Sequence, residues 1–193
     1  MRRKRIKSLI VGLLAIAALL AVAAWNLWKP SRSFAPQLLG LHCDTPGMCI
    51  DEPSRTNEAL VLKRDAITFM RRKLGAFAAD PRFIFCSTAT CDRAFGFHGN
   101  RAYSFGTVAV VISSHGWQSH FLRHELVHAV QVERIGGFRM LFHSPNWLIE
   151  GMAYSMSEDP RRPLIQPWES YRAQYEAWAA NNAEDLWQRA AAQ

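Results

Sequence analysis

Apolar side chains recur at three- and four-residue steps along much of the chain, a spacing typical of amphipathic helices. Between residues 56 and 77, for example, Leu60, Ile67, Met70 and Leu74 would share one face. The pattern predicts helices at residues 56–77, 117–135, 145–157, 167–181 and 184–191. Two glycines after residue 135 are a typical C-terminal stop for the second of these helices.

Two other stretches are rich in β-branched and aromatic residues, as strands are. They predict strands at residues 82–89 and 107–113, with a glycine-rich loop between them. The order along the chain is therefore one helix, two strands and then several helices, without an internal repeat. Such an order is typical of a small α+β domain.

The N-terminal segment follows neither pattern. A basic cluster, from Arg2 to Arg5 and including Lys7, precedes an uncharged run at residues 8–28. As a helix, this run would be about 30 Å long, enough to cross the hydrocarbon core of a bilayer. The basic cluster should stay in the cytoplasm, so the rest of the chain would lie outside. We therefore predict a single-pass anchor at residues 1–29, in a bacterial inner membrane, with a periplasmic domain.

A removable signal peptide is the alternative, because the small residues at 21–23 resemble a cleavage site. The apolar run is longer than most signal peptides carry. Trp25 and Trp28 also follow it, where an interfacial aromatic belt would lie. Both features favour an anchor that is not cleaved, and either alternative exports the domain.

The positive charge of the chain belongs to this same segment. The chain has 23 Lys and Arg against 16 Asp and Glu, and six of the basic residues lie within residues 1–30. The other 17 basic residues nearly balance the 16 acidic ones. A nucleic-acid partner would need a basic surface, and the exported part offers no surplus for one.

The four cysteines form two close pairs, an even number that favours disulfides in an exported protein. They are Cys43 and Cys49 in "CDTPGMC", and Cys86 and Cys91 in "CSTATC". Three pairings are open, of which the local one within each pair is the simplest. A structural zinc site is disfavoured, because neither pair has the two-residue gap of such sites.

The most informative motif is "HELVH" at residues 124–128. Side chains four apart on a helix differ by about 40° in direction, so His124 and His128 can point at one metal ion. Glu125 lies off that axis, which suits a general base acting on a metal-bound water. Because catalytic zinc takes three protein ligands and one water, a third ligand must come from elsewhere.

Several residues are candidates for that ligand. A metzincin-type continuation fails, because Gln131 and Arg134 occupy the required Gly and His positions. Glu133 would face away on the same helix, and His143 falls in a loop. Glu150 is the strongest candidate, on the next predicted helix, which can fold back beside the first. The small residues Gly151 and Ala153 next to it would permit close packing around a metal.

"HELVH" followed 22 residues later by the Glu of "WLIEGMA" resembles the gluzincin branch of zinc metallopeptidases, and in particular the small peptidase MA-like, or minigluzincin, proteins. The resemblance covers residues 56–160. It implies a zincin-like fold and Zn²⁺ bound by His124, His128 and Glu150, with Glu125 as general base. The domains would then be the anchor, a tether and disulfide loop at 30–55, and a zincin-like catalytic domain at 56–193.

The resemblance also implies features of the cleft. The strand at 107–113 would border it and could bind an extended polypeptide by main-chain hydrogen bonds. Gluzincins usually supply an oxyanion stabiliser from beyond the third ligand, for which Tyr154, Tyr171 and Tyr175 are candidates. His120, one turn before His124, would be a rim or second-shell residue.

The function predicted from these features is that of a membrane-anchored zinc peptidase acting on exported polypeptides. The alternative is a zinc-binding domain without catalysis, acting as a binding or assembly factor at the membrane surface.

Overall fold

The computed structural model of the protein describes residues 2–182 and 184–193. The helices are α1 (Arg2–Leu27), α2 (Thr56–Leu74), α3 (Ala89–Phe95), α4 (Ser119–Ile135), α5 (Gly137–Phe142), α6 (Asn146–Met156), α7 (Trp168–Ala179) and α8 (Leu186–Ala191). The strands are β1 (Met48–Ile50), β2 (Arg82–Phe85), β3 (Ala102–Phe105) and β4 (Ala109–Ile112). The fold is α+β with one N-terminal apolar helix, which confirms the predicted class at this level.

The four strands form one mixed sheet in the order β1-β2-β4-β3. The pairs β1–β2 and β2–β4 are parallel, whereas β3 is antiparallel to β4. Alternate residues of a strand point to opposite faces, and the sheet accordingly separates two clusters of buried side chains. Phe83 and Phe85 pack with α2, α4 and α6 on one face, while Ile84 packs near both disulfides on the other.

The long helices predicted from periodicity are confirmed, with small shifts at their ends. Helix α2 ends three residues earlier than predicted, at Leu74, because it is followed by Gly75, whose φ of 78° favours glycine. Helix α6 begins one residue later than predicted, because Pro145 and not Ser144 is its N-cap.

The short elements were not predicted. The segment 86–88 leaves the sheet and leads into α3, where the Thr88 hydroxyl accepts a hydrogen bond from the Cys91 N–H. Strands β1 and β3 and helix α5 were not predicted either, because each lies in a stretch containing Gly together with Pro or Ser, a composition that favours loops.

Both predicted local disulfides are present, between Cys43 and Cys49 and between Cys86 and Cys91. Cys49 lies in β1, and Cys86 follows β2 directly. Both bridges are therefore next to the sheet, on the face opposite to α4. Disulfides are typical of an oxidising compartment.

Helix α1 contains an 18-residue stretch, Ile10–Leu27, of mean hydropathy 2.4 with none of it buried against the protein. Its length and composition fit either a membrane span or a signal sequence.

The segment after α1, for which a tether and a disulfide loop were predicted, makes contacts with the domain. Two 3-10 turns, Lys29–Phe34 and Pro36–Leu39, lie against the domain. Lys29 Nζ and Arg32 Nη1 donate hydrogen bonds to the carbonyl oxygens of Arg93 and Ala94, at the end of α3. The end of α1 is thus connected directly to the folded domain.

Candidate metal centre

Helix α4 brings the two histidines of "HELVH" together. The Nε2 atoms of His124 and His128 are 3.2 Å apart, and the two rings meet nearly at right angles. His124 is buried and His128 nearly so, because α4 packs between the sheet and α6. Both imidazoles present the same ring nitrogen to one point, as the four-residue spacing predicts.

Helix α6 supplies a carboxylate to the same point. One oxygen of Glu150 lies 3.5 Å from His124 Nε2, and the other lies 3.7 Å from His128 Nε2. Burial raises the pKa of Glu150, but the two imidazoles outweigh that effect and hold it below its usual value. His124, His128 and Glu150 form a group that can hold a metal ion.

The geometry of these three side chains fits a small divalent cation. Ligand atoms about 2.0–2.2 Å from a tetrahedral zinc lie roughly 3.3 Å from one another. In the protein the two Nε2 atoms are 3.2 Å apart, one Glu150 oxygen is 3.5 Å from that of His124 and the other is 3.7 Å from that of His128, and one ligand atom from each residue lies within 4.8 Å of the rest. Two nitrogens and one carboxylate are also a donor set that zinc takes in catalytic sites. The residues therefore fit the metal that the motif predicts.

A buried glutamine fixes the orientation of the second histidine. Gln131 is fully buried, and its Oε1 atom lies 2.8 Å from His128 Nδ1. The Gln131 amide also donates a 2.9 Å hydrogen bond to the carbonyl oxygen of Ile149, the residue before Glu150. An acceptor at Nδ1 places the ring proton there, so Nε2 keeps its lone pair for a metal.

Gln131 therefore links the two ligand-bearing helices. From the sequence, Gln131 served only to exclude a metzincin, and its contact with His128 was not predicted. Gln131 lies three residues after His128, on the same face of the helix, and this spacing could have identified it as a hydrogen-bond partner of His128.

The predicted general base lies beside the three ligands. Glu125 is buried on α4 and lines the same cleft. Burial raises its pKa to about 7, while His128 and hydrogen bonds from Ser104 act in the opposite direction. Because Ser104 belongs to β3, the strand contacts the carboxylate directly.

The cleft in front of these residues has a volume of about 950 Å³. One wall is formed by α4 and α6, and the other by residues 99–106, which include β3. The strand prediction for this wall was therefore wrong. The predicted strand corresponds to β4, which lies between β2 and β3, whereas β3 is the edge strand that borders the cleft.

The tyrosines proposed as oxyanion stabilisers occupy different places. Tyr154 lines the cleft, with its ring 4.4 Å from that of His124. Burial raises the pKa of its hydroxyl to about 12, so the group stays protonated and able to donate. Tyr171 packs against Trp168 and is not among the residues that line the cleft, and Tyr175 is buried in the core. Of the three, only Tyr154 faces the ligands.

The other histidines lie outside the cluster. His120 packs on the ring of Phe121, and its buried Nε2 atom has no hydrogen-bond partner in the described part of the chain. His143 is exposed and packs against Phe138. Glu133 accepts a hydrogen bond from the Ala79 N–H, away from the ligands, as its helical position predicts.

Arg161 is a residue of the cleft that the sequence analysis did not identify. Its guanidinium is held by the carboxylate of Asp159, whose side chain is almost fully buried. Arg161 lies over the rings of Phe121 and Tyr154 and lines the cleft. It follows α6 in an irregular segment, where no sequence pattern indicates direction.

Gly151, next to Glu150, is required by a different contact from the one predicted. A Cβ atom at this position would lie 2.2 Å from the carbonyl oxygen of Tyr171 on α7. The small residue therefore permits close packing of α6 against α7.

No protein-family model, curated protein or solved structure matches this chain. The resemblance to the gluzincins, including the zincin-like fold, therefore stays a prediction carried by the motif residues themselves.

Proposed function

We propose that the protein is a membrane-anchored, zinc-dependent peptidase of gluzincin type, with a zincin-like core, that hydrolyses peptide bonds of exported polypeptides. One observation carries the proposal: two imidazoles and a carboxylate from separate helices converge at 3.2–3.7 Å, beside a buried glutamate in an open cleft. If the "HExxH" motif occurred by chance, there would be no reason for a carboxylate of another helix to lie beside its two histidines.

The proposed ligands of Zn²⁺ are His124, His128 and Glu150. Bound there, zinc would supply a Lewis acid and would lower the pKa of a coordinated water towards neutrality. Gln131 orients His128 for this role through the hydrogen bond at Nδ1.

The remaining roles fall to residues that line the cleft. Glu125 accepts a proton from the attacking water and passes it to the leaving amine. The protonated hydroxyl of Tyr154 donates a hydrogen bond to the oxygen that becomes negative during attack. The edge strand β3 offers main-chain groups to an extended polypeptide on the opposite wall.

The proposed location follows from the N-terminal helix and the disulfides. Helix α1 would remain as a single-pass anchor, with the basic cluster in the cytoplasm and the domain in the periplasm. Two disulfides agree with an exported domain.

The substitution Glu125→Gln tests the proposal in the full-length protein. It removes the proton acceptor but leaves the three ligands, so we expect zinc content to be unchanged and cleavage of a denatured polypeptide to be lost. Glu133→Gln on the same helix is the matched control, because that carboxylate lies away from the ligands, and it should retain cleavage. Cleavage retained by Glu125→Gln would refute the assignment. Zinc binding without cleavage by the wild type would favour the non-catalytic alternative.

A further inference from the structure

Helix α5, between the two ligand-bearing helices, presents an unusual apolar face to solvent. Phe138, Leu141 and Phe142 are 71%, 75% and 63% exposed. They stand at positions i, i+3 and i+4, so they share one side of the helix. Contiguous exposed apolar groups of this kind mark contacts with another molecule or with a membrane.

This face lies at the rim of the cleft. Gly137, Met140 and Leu141 contribute to the cleft lining, together with Phe105 and Gly106 on the opposite wall. Helix α4 begins after β4, whose last residue pairs with Ala102 at the start of β3. From there it runs in the same direction as β3, and Ser104 hydrogen-bonds Glu125 near the middle of the helix. The C-terminal end of α4, and α5 after it, therefore lie beyond the Phe105 end of β3. Phe105 and α5 thus flank the same end of the cleft.

The N-terminal segment reaches that same end. Trp28, the residue after α1, packs edge-to-face on Phe105 at 4.9 Å, and Phe34 does so at 5.5 Å. The apolar stretch of α1 ends at Leu27. If α1 crosses a bilayer, the end of the cleft at Phe105 therefore lies at the bilayer surface.

The charge around α5 also suits a membrane. Residues 134–149 contain no Asp or Glu, while Arg139 within α5 and His143 directly after it are exposed. Basic residues beside an apolar face are typical of helices that lie in the interface of anionic bilayers.

We propose that α5 is a second membrane contact, with Phe138, Leu141 and Phe142 inserted into the surface of the bilayer that α1 crosses. The cleft then opens at the lipid surface, between α5 and the contact of Trp28 with Phe105. Only polypeptide segments close to the membrane reach it easily. This contact depends on α1 remaining in the bilayer and does not depend on hydrolysis.

Photocrosslinking of the full-length protein tests the inference. Phe142 is replaced by the photoreactive p-benzoylphenylalanine, and the protein is reconstituted in vesicles of phosphatidylethanolamine and phosphatidylglycerol. Val61 on α2, which is 62% exposed, is the matched control because α2 contributes no residue to the cleft lining. Leu19 in α1, 70% exposed, is the control for insertion. Lipid adducts are measured by mass spectrometry.

We expect several-fold more lipid adduct at position 142 than at position 61. Adding Arg139→Glu should lower the amount of lipid adduct at position 142. Labelling at position 19 with no excess at 142 over 61 would overturn the inference. Crosslinks from 142 to a second copy of the chain in place of lipid would also overturn it, since they would make α5 a dimer surface. Absence of lipid adducts at 19 would remove the anchor on which the contact depends, and the inference with it.

Discussion

The helical wall of the cleft carries its ligands on residues fixed by local spacing, whereas the opposite wall is assembled from β3 and the segment that leaves the apolar helix. On the helical wall, the candidate ligands His124 and His128 are one turn apart, and their Nε2 atoms are 3.2 Å from each other. On the strand wall, Phe105 is held by Trp28 and Phe34, more than 70 residues earlier in the chain. The candidate metal site is thus a local property of α4 and α6, and the shape of the cleft depends on distant parts of the chain.

The two walls should therefore respond differently to mutation. Changes on the helical wall should alter metal affinity or turnover while leaving the N-terminal segment in place. Changes on the strand wall should loosen that segment while leaving metal affinity unchanged.

The largest expected effect is that of His128→Ala. It removes a ligand, so zinc affinity should fall by more than the roughly 10–100-fold that loss of an outer-shell partner costs. Isothermal titration of the full-length protein with zinc measures this. His143→Ala is the matched control, because this exposed histidine lies outside the cluster. Equal losses in both variants would show that the ligand assignment is wrong.

Tyr154→Phe should lower kcat by roughly 100-fold without loss of zinc, because it removes one hydrogen-bond donor to the developing oxyanion. Steady-state kinetics and zinc content measure the two quantities separately. Tyr171→Phe should leave both unchanged, since Tyr171 is not part of the cleft lining. A larger loss of kcat in Tyr171→Phe would exchange the roles of the two tyrosines.

Gln131→Ala should weaken zinc binding by about 10–100-fold, because His128 loses the acceptor that fixes its tautomer. Gln131→Glu restores an acceptor but not the hydrogen bond to the Ile149 carbonyl oxygen. It should therefore recover most of the affinity while remaining less stable to heat than the wild type. If both substitutions weaken binding equally, the role of Gln131 is packing of α4 against α6.

The smallest expected effect concerns the strand wall. Phe105→Ala, Trp28→Ala and the double variant form a cycle in thermal unfolding of the detergent-solubilised protein, and the edge-to-face pair should contribute a coupling of about 1 kcal/mol. Zinc content should not change in any of the three. Zinc loss in Phe105→Ala would show that the two walls are not independent.

The same contrast explains what could be predicted from the sequence. The convergence of His124, His128 and Glu150 could be predicted, because helical spacing relates the two histidines and Glu150 lies on the next long helix, which packs beside α4. Helix α5 could not, because Gly136 ends α4 as expected but the chain resumes a helix directly afterwards. The edge strand β3 could not, since its four half-buried residues pair with β4 only after the hairpin has formed.

Arg161 and the docking of residues 29–39 were missed for a related reason. Residues 29–39 are positioned by contacts far apart in sequence, such as the hydrogen bond from Arg32 to the Ala94 carbonyl oxygen, and Arg161 lies over the ring of Phe121 on α4. Spacing along the chain carries no record of such contacts. Only the folded structure places them at the cleft or at the end of α1.

The metal content of the full-length protein shows directly whether His124, His128 and Glu150 bind one zinc ion. The protein is purified without chelator as wild type, Glu150→Ala and Glu133→Ala, and zinc per chain is measured by mass spectrometry. We expect about one zinc per chain in the wild type and in Glu133→Ala, with a large loss in Glu150→Ala. A folded wild type without zinc, or a Glu150→Ala variant that retains it fully, would show that these three residues are not the ligands of a zinc ion.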